Sequence, residues 1–217
     1  MRALVFDFDG LILDTETPEF VAWQEVFALH GATLVAADWA HVIGSLDSGW
    51  NAVDEIRKQT GVTVDADELR TTWKARQVEL LARETVRPGV TELLKQAAQR
   101  SLGVAVASSS PRWWVEGNLE RLGLLDAFPV IATGDEVPRT KPDPAVYLLA
   151  LSRLSVAPTD ALAFEDSPNG IRAALAAGLH CIAAPNAVSR HLDLTAADAV
   201  LPTLADVDLD ALPFPWH

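Results

Sequence analysis

The sequence has little cysteine, little positive charge and no apolar run long enough to span a membrane. Its single cysteine, Cys181, lies in an apolar stretch, so a disulfide within the chain is impossible and a buried thiol is expected. Lys and Arg number 17 against 30 Asp and Glu, which gives a formal net charge of −13 at pH 7. This negative charge disfavours nucleic acid and anionic membranes as partners. With no membrane-length run, we expect a cytoplasmic protein that binds neither.

Three familiar kinds of active site also lack their sequence signatures. There is no Gly-x-x-x-x-Gly-Lys loop for a nucleoside triphosphate and no Gly-x-Ser-x-Gly elbow of a serine hydrolase. The five histidines show no metal-ligand spacing. What the chain does contain is 49% hydrophobic residues over 217 positions, which is enough for a sizeable core.

Short apolar runs without clean alternation predict strands that are buried on both faces. Five such runs cover 4–8, 103–107, 130–132, 161–164 and 181–184. Segments with helical periodicity lie between them, at 90–100, 112–122, 145–154 and 171–177, and Gly123 and Gly178 mark two of their ends. Strands alternating with helices predict an α/β fold with a Rossmann-like parallel sheet core.

The segment from 9 to 102 is far too long for one crossover between strands. Its pattern predicts helices at 18–30, 38–43, 49–59 and 66–84. We therefore expect a small α-helical cap domain inserted into the core. The predicted boundaries assign 15–87 to the cap, and 1–14 with 88–217 to the α/β catalytic core.

Asp7 and Asp9 form the first of four polar motifs, at the end of an apolar strand. Two residues apart on a strand, their side chains point to the same side. Burial of two unpaired carboxylates there would cost several kcal/mol, roughly what isolated buried charges cost, and a bound cation would remove that cost. The alternative is a β-hairpin that turns at Asp9-Gly10. The two interpretations are compatible.

The second motif is the serine run that follows the second predicted strand. The hydroxyl of Ser108 and the backbone N–H groups after it could cradle a phosphate at the start of a helix. The alternative is an ordinary helix cap, a role that Ser110 before Pro111 would fill, leaving Ser108 and Ser109 without a capping duty.

The third and fourth motifs are Lys141, held beside two prolines, and the pair Glu165-Asp166 after the fourth strand. Lysine is usually a solvated surface charge, and acidic residues before a helix often only favour its positive end. The alternative is a cation and phosphate site. All four motifs follow strands at the carboxyl edge of the sheet, where open α/β folds bind ligands, and their joint occurrence favours a functional site.

Taken in order, Asp-Phe-Asp-Gly, Ala-Ser-Ser-Ser, Thr-Lys-Pro-Asp-Pro and Glu-Asp-Ser-Pro-Asn-Gly resemble the motifs of the haloacid dehalogenase superfamily. Within it, the chain resembles the β-phosphoglucomutase-like phosphatases with a helical cap. The resemblance implies that Asp7 is the nucleophile that forms an aspartyl-phosphate and that Asp9 is the general acid and base. It implies that the phosphoryl oxygens are held by Ser108, the N–H of Ser109, and Lys141. It implies Mg²⁺ as cofactor, with the metal site formed by Asp7, the carbonyl of Asp9, Glu165 and Asp166.

The resemblance leaves three functions to compare. The favoured one is a Mg²⁺-dependent phosphatase acting on a small phosphorylated metabolite, either a sugar phosphate or a nucleotide-derived monophosphate. A mutase would carry a basic residue in the cap at the positions of Glu19 and Asp47, and these acidic residues would repel a second phosphate. A catalytically silent phosphosugar-binding protein is the third. We expect a monomer or a weak homodimer.

Overall fold

The computed structural model describes residues 1–40, 42 and 49–212 of the chain. In this part, six strands form one parallel sheet in the order β3-β2-β1-β4-β5-β6. They are β1 (Ala3–Phe6), β2 (Gly103–Ala107), β3 (Val130–Ala132), β4 (Ala161–Glu165), β5 (His180–Ala183) and β6 (Ala199–Val200). The α/β fold with a parallel sheet is confirmed. The strand β6 was not predicted, since two residues carry no periodicity to recognise.

The helices that cover the sheet lie close to the positions predicted from periodicity. They are α5 (Val90–Gln99), α6 (Arg112–Arg121), α7 (Ala145–Leu154) and α8 (Pro168–Ala176), with the helices α1 to α4 preceding them in the chain. Gly123 and Gly178 have φ of +69° and +87° and follow the ends of α6 and α8, as predicted. The helix predicted from 171 begins three residues earlier, because Ser167 accepts a hydrogen bond from the N–H of Gly170 and caps α8.

The two faces of the sheet bury side chains of different size. One face presents large residues such as Leu4, Phe6 and Phe164, against which α5 and α6 pack. The other presents mainly alanine and valine, together with Cys181, whose side chain is fully buried as expected. Small side chains leave room for α7 and α8 to pack closely on this face. Because α8 directly follows β4, its first turn lies at the carboxyl edge of the sheet.

The region between β1 and α5 is helical and has a hydrophobic core of its own. Its helices are α1 (Glu16–Leu29), α2 (Ala36–Ala40), α3 (Ala52–Thr60) and α4 (Ala66–Leu81). Trp23 of α1 stacks on Trp73 of α4 with ring centroids 4.9 Å apart, and Arg76 binds both carboxylate oxygens of Glu25 between the same helices. Trp39 and Trp50 complete the aromatic cluster. The last part of the helix predicted at 38–43 falls outside the described residues.

The two connections between the helical region and the sheet run side by side. Leu13 pairs with Val86 in an antiparallel bridge, and the N–H of Arg87 donates to the carbonyl of Ile12 at 2.9 Å. Both connections therefore meet at one hinge-like point near the end of β1. The boundaries at 14/15 and 87/88 remain a prediction.

Gly89 closes the second of these connections against the C-terminal part of the chain. Its φ is +93°, and a Cβ there would lie 2.2 Å from the backbone of Leu204 and Ala205. Gly123 is a matched control, since its φ is also positive but nothing lies within 4 Å of its missing Cβ. Substitution by alanine strains the backbone at both sites but creates a steric overlap only at Gly89. The difference between the two losses of stability therefore measures the effect of the overlap.

We predict that Gly123→Ala lowers the free energy of unfolding by about 1 kcal/mol, the usual cost of a left-handed non-glycine residue. Gly89→Ala should cost at least about 2 kcal/mol more, because its methyl group overlaps backbone that cannot rotate away. Urea unfolding followed by circular dichroism measures both. Equal losses in the two variants would contradict the close packing of Gly89.

Candidate active site

Three buried carboxylates and one buried ammonium group meet at the carboxyl edge of β1 and β4. Carboxylate oxygens of Asp7, Glu165 and Asp166 lie within 4.8 Å of one another. Lys141 donates to Asp7 Oδ1, and to Glu165 Oε1 at 2.7 Å. The side chains of Lys141 and Glu165 are 6% and 0% exposed, so water screens this cluster poorly.

Asp7 was predicted to lie within the first strand, but in the structure it is the first residue after that strand. The prediction extended the strand to 8, but β1 ends at Phe6 and the N–H of Asp7 still donates to the carbonyl of Phe164 at 3.0 Å. The alternative prediction of a β-hairpin at Asp9-Gly10 is wrong. The N–H of Gly10 donates to the carbonyl of Leu13 within a tight turn, and in the described chain β1 pairs only with β2 and β4.

Glu165 has no free side-chain oxygen facing solvent. Its Oε1 accepts from Lys141 and from the hydroxyl of Tyr147 at 2.5 Å, and its Oε2 accepts from the N–H of Asp166 at 3.1 Å. A Cβ on Gly170 would lie 1.9 Å from this carboxylate, so any larger residue at position 170 would displace the Glu165 side chain from these hydrogen bonds. The size of that residue therefore fixes how close α8 comes to the acidic cluster.

Asp166 is held by a residue that the sequence analysis did not single out. Asn186, in the loop after β5, donates to Asp166 Oδ2 at 2.7 Å and to the carbonyl of Gly10 at 3.3 Å. Arg87 also donates to the carbonyl of Gly10. The position of Asn186 just beyond a strand at the carboxyl edge is the one sequence signal that could have indicated it.

The charges of the cluster do not balance. Burial raises the pKa of Asp7 well above its usual value, and Glu165 adds to the effect while Lys141 opposes it. Burial also raises the pKa of Asp166, with Glu165 next in importance. Burial opposes the charge of Lys141, but Asp7 and Glu165 outweigh it and raise the pKa of Lys141 overall. One ammonium therefore faces three carboxylates, a donor set of oxygens that suits a hard divalent cation.

The Asp9 side chain belongs to a second group of contacts, formed with the loop after β2. Its Oδ2 accepts from the hydroxyl of Ser110 at 2.7 Å and from that of Ser108 at 3.3 Å. Its Oδ1 accepts from the indole N–H of Trp114 at 2.8 Å. Ser108 is fully buried, whereas Ser109 is exposed at the surface of the same loop.

Ser110 does not have the capping role predicted for it. Pro111 occupies the N-cap position of α6 and offers no capping side chain, the N–H of Arg112 donates to the Asp135 carboxylate at 3.2 Å instead, and the Ser110 hydroxyl binds Asp9. Trp114 and Tyr147 were also missed, because both lie on helices whose periodicity already explained them as packing residues.

Two carboxyl groups of the helical region, those of Glu16 and Glu19, interact electrostatically with Asp9. Burial raises the pKa of Glu16 to about 8, and Glu19, Asp9 and Asp14 act in the same direction. Burial also raises the pKa of Glu19, where Lys74 partly compensates and Asp9 adds to the rise. Asp14 accepts from the N–H of Thr17 at 2.9 Å at the start of α1. Asp47 lies outside the described residues.

Comparisons with known proteins agree with this arrangement. A family model described as haloacid dehalogenase-like hydrolase matches residues 4–184. The chain is 42% identical to the Bacillus subtilis protein YhcW over 212 residues, which cover 98% of this chain and 96% of YhcW. It is 33% identical to the phosphorylated carbohydrates phosphatase of Thermotoga maritima, with 84% of each chain covered. The crystal structure of CbbY from Rhodobacter sphaeroides in complex with phosphate superimposes with a TM-score of 0.70 at 31% identity, covering 95% of this chain and 96% of CbbY.

No helix in the described part of the chain has both the length and the apolar character needed to cross a bilayer.

The raised pKa of Glu16 predicts a pH dependence of stability. Between its usual value of 4.5 and about 8, the folded protein holds a proton that the unfolded chain releases. The unfolded state therefore binds fewer protons, and stability should fall as the pH rises through this window. The glutamine of Glu16→Gln has no proton to lose. The melting temperature of the variant should therefore exceed that of the wild type at pH 8.5, and this difference should be smallest at pH 5.

Melting curves in EDTA from pH 5 to pH 9 measure this gain. Glu92→Gln is the control, since the Glu92 side chain is 66% exposed and pairs only with Lys95 on the surface of α5. Wild-type and Glu16→Gln curves that run parallel across the whole range would show that Glu16 ionises freely in the folded protein.

Proposed function

The chain belongs to the haloacid dehalogenase-like hydrolase family, and from this premise we propose that it is a Mg²⁺-dependent phosphatase of small sugar monophosphates. The observation that carries the proposal is the buried cluster of Asp7, Glu165 and Asp166 around Lys141, with Asp9 beside it. A cluster with two more carboxylates than ammonium groups is costly to bury unless a cation joins it. The phosphorylated carbohydrates phosphatase of Thermotoga maritima supports phosphorylated sugars as the substrate class, and the phosphate complex of CbbY supports binding of the phosphoryl group.

The proposed reaction has two steps. In the first, a carboxylate oxygen of Asp7 forms a bond to phosphorus, the bond from phosphorus to the leaving oxygen breaks, and Asp9 gives that oxygen a proton. In the second, Asp9 takes a proton from water, the water oxygen attacks phosphorus, and the bond to Asp7 breaks. Inorganic phosphate and the free Asp7 carboxylate result, so every atom and proton is accounted for.

The remaining residues hold the phosphoryl group and its charge. Lys141, Ser108 and the N–H of Ser109 would bind the equatorial oxygens, where negative charge is spread in the transition state. Asp7, Asp166, the carbonyl of Asp9, and Glu165 directly or through water, would hold Mg²⁺. When bound, the ion would neutralise the phosphoryl charge that three carboxylates otherwise repel. Glu165 is also the residue that fixes Lys141, because it accepts from its ammonium group at 2.7 Å.

The helical region would select the leaving group. Glu16 and Glu19 place carboxyl groups near Asp9, and the charge that Glu19 carries when ionised would disfavour a second phosphate on the sugar. Carboxyl groups suit sugar hydroxyls, to which they can hydrogen-bond. We therefore favour monophosphates over bisphosphates, and hydrolysis over phosphoryl transfer within one sugar.

Asp7→Asn should remove turnover, because an amide oxygen cannot act as the nucleophile. Phosphate release from a panel of sugar phosphates, with Mg²⁺ and with EDTA, should be metal-dependent in the wild type and lower by at least about a thousandfold in the variant. Asp126→Asn, at an exposed position far along the chain, is the matched control and should retain wild-type rates. Mg²⁺-dependent release that persists in Asp7→Asn would overturn the mechanism. Tight binding of sugar phosphates without any release would favour a silent binding protein instead.

A mutase would convert β-glucose 1-phosphate to glucose 6-phosphate in the presence of a bisphosphate activator. We expect glucose and inorganic phosphate as the products with this enzyme, because an ionised Glu19, at a position where a mutase would carry a basic residue, would oppose a bound bisphosphate. Product analysis by ³¹P NMR distinguishes the two reactions. Accumulation of glucose 6-phosphate faster than that of free phosphate would show that the mutase assignment is right.

A further inference from the structure

The two carboxylate oxygens of Asp9 have chemically different partners. Oδ1 accepts from the indole Nε1–H of Trp114 at 2.8 Å, and Oδ2 accepts from the hydroxyls of Ser110 and Ser108 at 2.7 Å and 3.3 Å. An indole N–H can only donate a hydrogen bond, whereas a hydroxyl donates or accepts by rotating. The environment of Asp9 is therefore asymmetric between its two oxygens.

This asymmetry decides which oxygen can carry a proton. A proton on Oδ1 would meet the Trp114 N–H head-on, with two hydrogens between the same pair of heavy atoms. A proton on Oδ2 would meet hydroxyl oxygens, which can turn from donating to accepting without any movement of the backbone. Oδ2 is therefore the oxygen suited to exchange protons.

The donor from Trp114 is held in a fixed place. Trp114 lies in the first turn of α6, and its indole packs against the large-residue face of the sheet core. The same turn is tied down by Arg112, which donates to the carbonyl of Ile131 at 2.8 Å and to Glu136 at 2.7 Å. A fixed donor on one oxygen restricts rotation of the whole carboxylate and so sets where the other oxygen points.

We propose that Trp114 is a positioning residue for proton transfer, which anchors Asp9 by Oδ1 and leaves Oδ2 to protonate the leaving group. The proposal rests on the proposed phosphatase function. In that step the bond from phosphorus to the leaving oxygen breaks, and the proton on Asp9 Oδ2 moves to that oxygen. Loss of the indole N–H frees the carboxylate to rotate and weakens this transfer, while the nucleophile and the phosphate-binding groups stay in place.

The test compares two substrates that differ in their need for a proton. The leaving group of a sugar phosphate is a strongly basic alkoxide, which needs a proton from the general acid. The leaving group of p-nitrophenyl phosphate is a stable phenolate, which does not need one. The measured quantity is kcat/KM, since it reports only the steps up to departure of the leaving group and excludes the later hydrolysis of the phosphoenzyme. The sugar substrate is glucose 6-phosphate, or the primary sugar phosphate that the wild type hydrolyses fastest.

Trp114→Phe should lower kcat/KM for the sugar phosphate by about tenfold to a hundredfold, as expected for impaired general acid catalysis. For p-nitrophenyl phosphate it should change kcat/KM by less than about threefold, within the range left by intact phosphate binding and nucleophilic attack. Trp113→Phe is the matched control, since Trp113 is the neighbouring residue on the same helix, is 72% exposed and contacts Trp114 only edge-on. It should leave both values unchanged.

A second replacement protects the test if Trp114→Phe loosens the fold. Benzothienylalanine introduced at 114 by nonsense suppression keeps the size of the indole and replaces only its N–H by sulfur. It should reproduce the selective loss on the sugar phosphate with a wild-type melting temperature. Equal losses on both substrates, or no loss on either, would overturn the role of Trp114. Absence of phosphate release by the wild-type enzyme from every substrate would instead count against the proposed function.

Discussion

The ammonium group of Lys141 is the one buried positive charge in direct contact with the acidic cluster of the described chain, and the geometry of the carboxyl edge depends on it. It binds Asp7, the residue that follows β1, and Glu165, the last residue of β4, so it links the carboxyl ends of two adjacent central strands. Buried ion pairs rarely add much to stability, because desolvation offsets most of the Coulomb attraction. Here the single charge of Lys141 faces three carboxylates, so electrostatic repulsion within the cluster opposes folding. That residual repulsion supports the proposal that a cation binds at this site.

The cost of this cluster is met by the apolar part of the fold. Strands β1 and β4 are buried along their full length, and both faces of the sheet are covered by helices. The face with small side chains lets α8 approach until its Gly170 touches the Glu165 carboxylate, a contact that any Cβ would prevent. The position of the acidic cluster therefore follows from side-chain size on the sheet as much as from the acidic residues themselves.

Much of this could be predicted from the sequence, and the failures have physical reasons. Apolar runs and their helical partners predicted five of the six described strands, because burial on both faces leaves a clear pattern. Asp7, Lys141, Glu165 and Asp166 were grouped correctly, since the topology of a parallel sheet brings the ends of its strands together. Their chemical roles are not settled by that grouping. Trp114 and Tyr147 could not be found, because a residue on an apolar helical face has the same pattern whether or not its polar atom reaches a carboxylate.

Asp7 and Asp9 belong to one short segment but have different hydrogen-bonding partners, and these partners suit the two residues to different chemical roles. Asp7 is buried among carboxylates and held by a single ammonium, which leaves it close to where a phosphoryl group and a cation would share its charge. The Asp9 carboxylate accepts hydrogen bonds from neutral donors in the loop after β2 and in the first turn of α6, and it forms no ion pair among the described residues. A group that must exchange protons gains from neutral partners that can reverse their hydrogen bonds, whereas a nucleophile gains from a fixed positive charge that orients it. The roles proposed for Asp7 and Asp9 therefore differ because of what the neighbouring strands and loops contribute, since the two residues are identical in chemistry and only two positions apart.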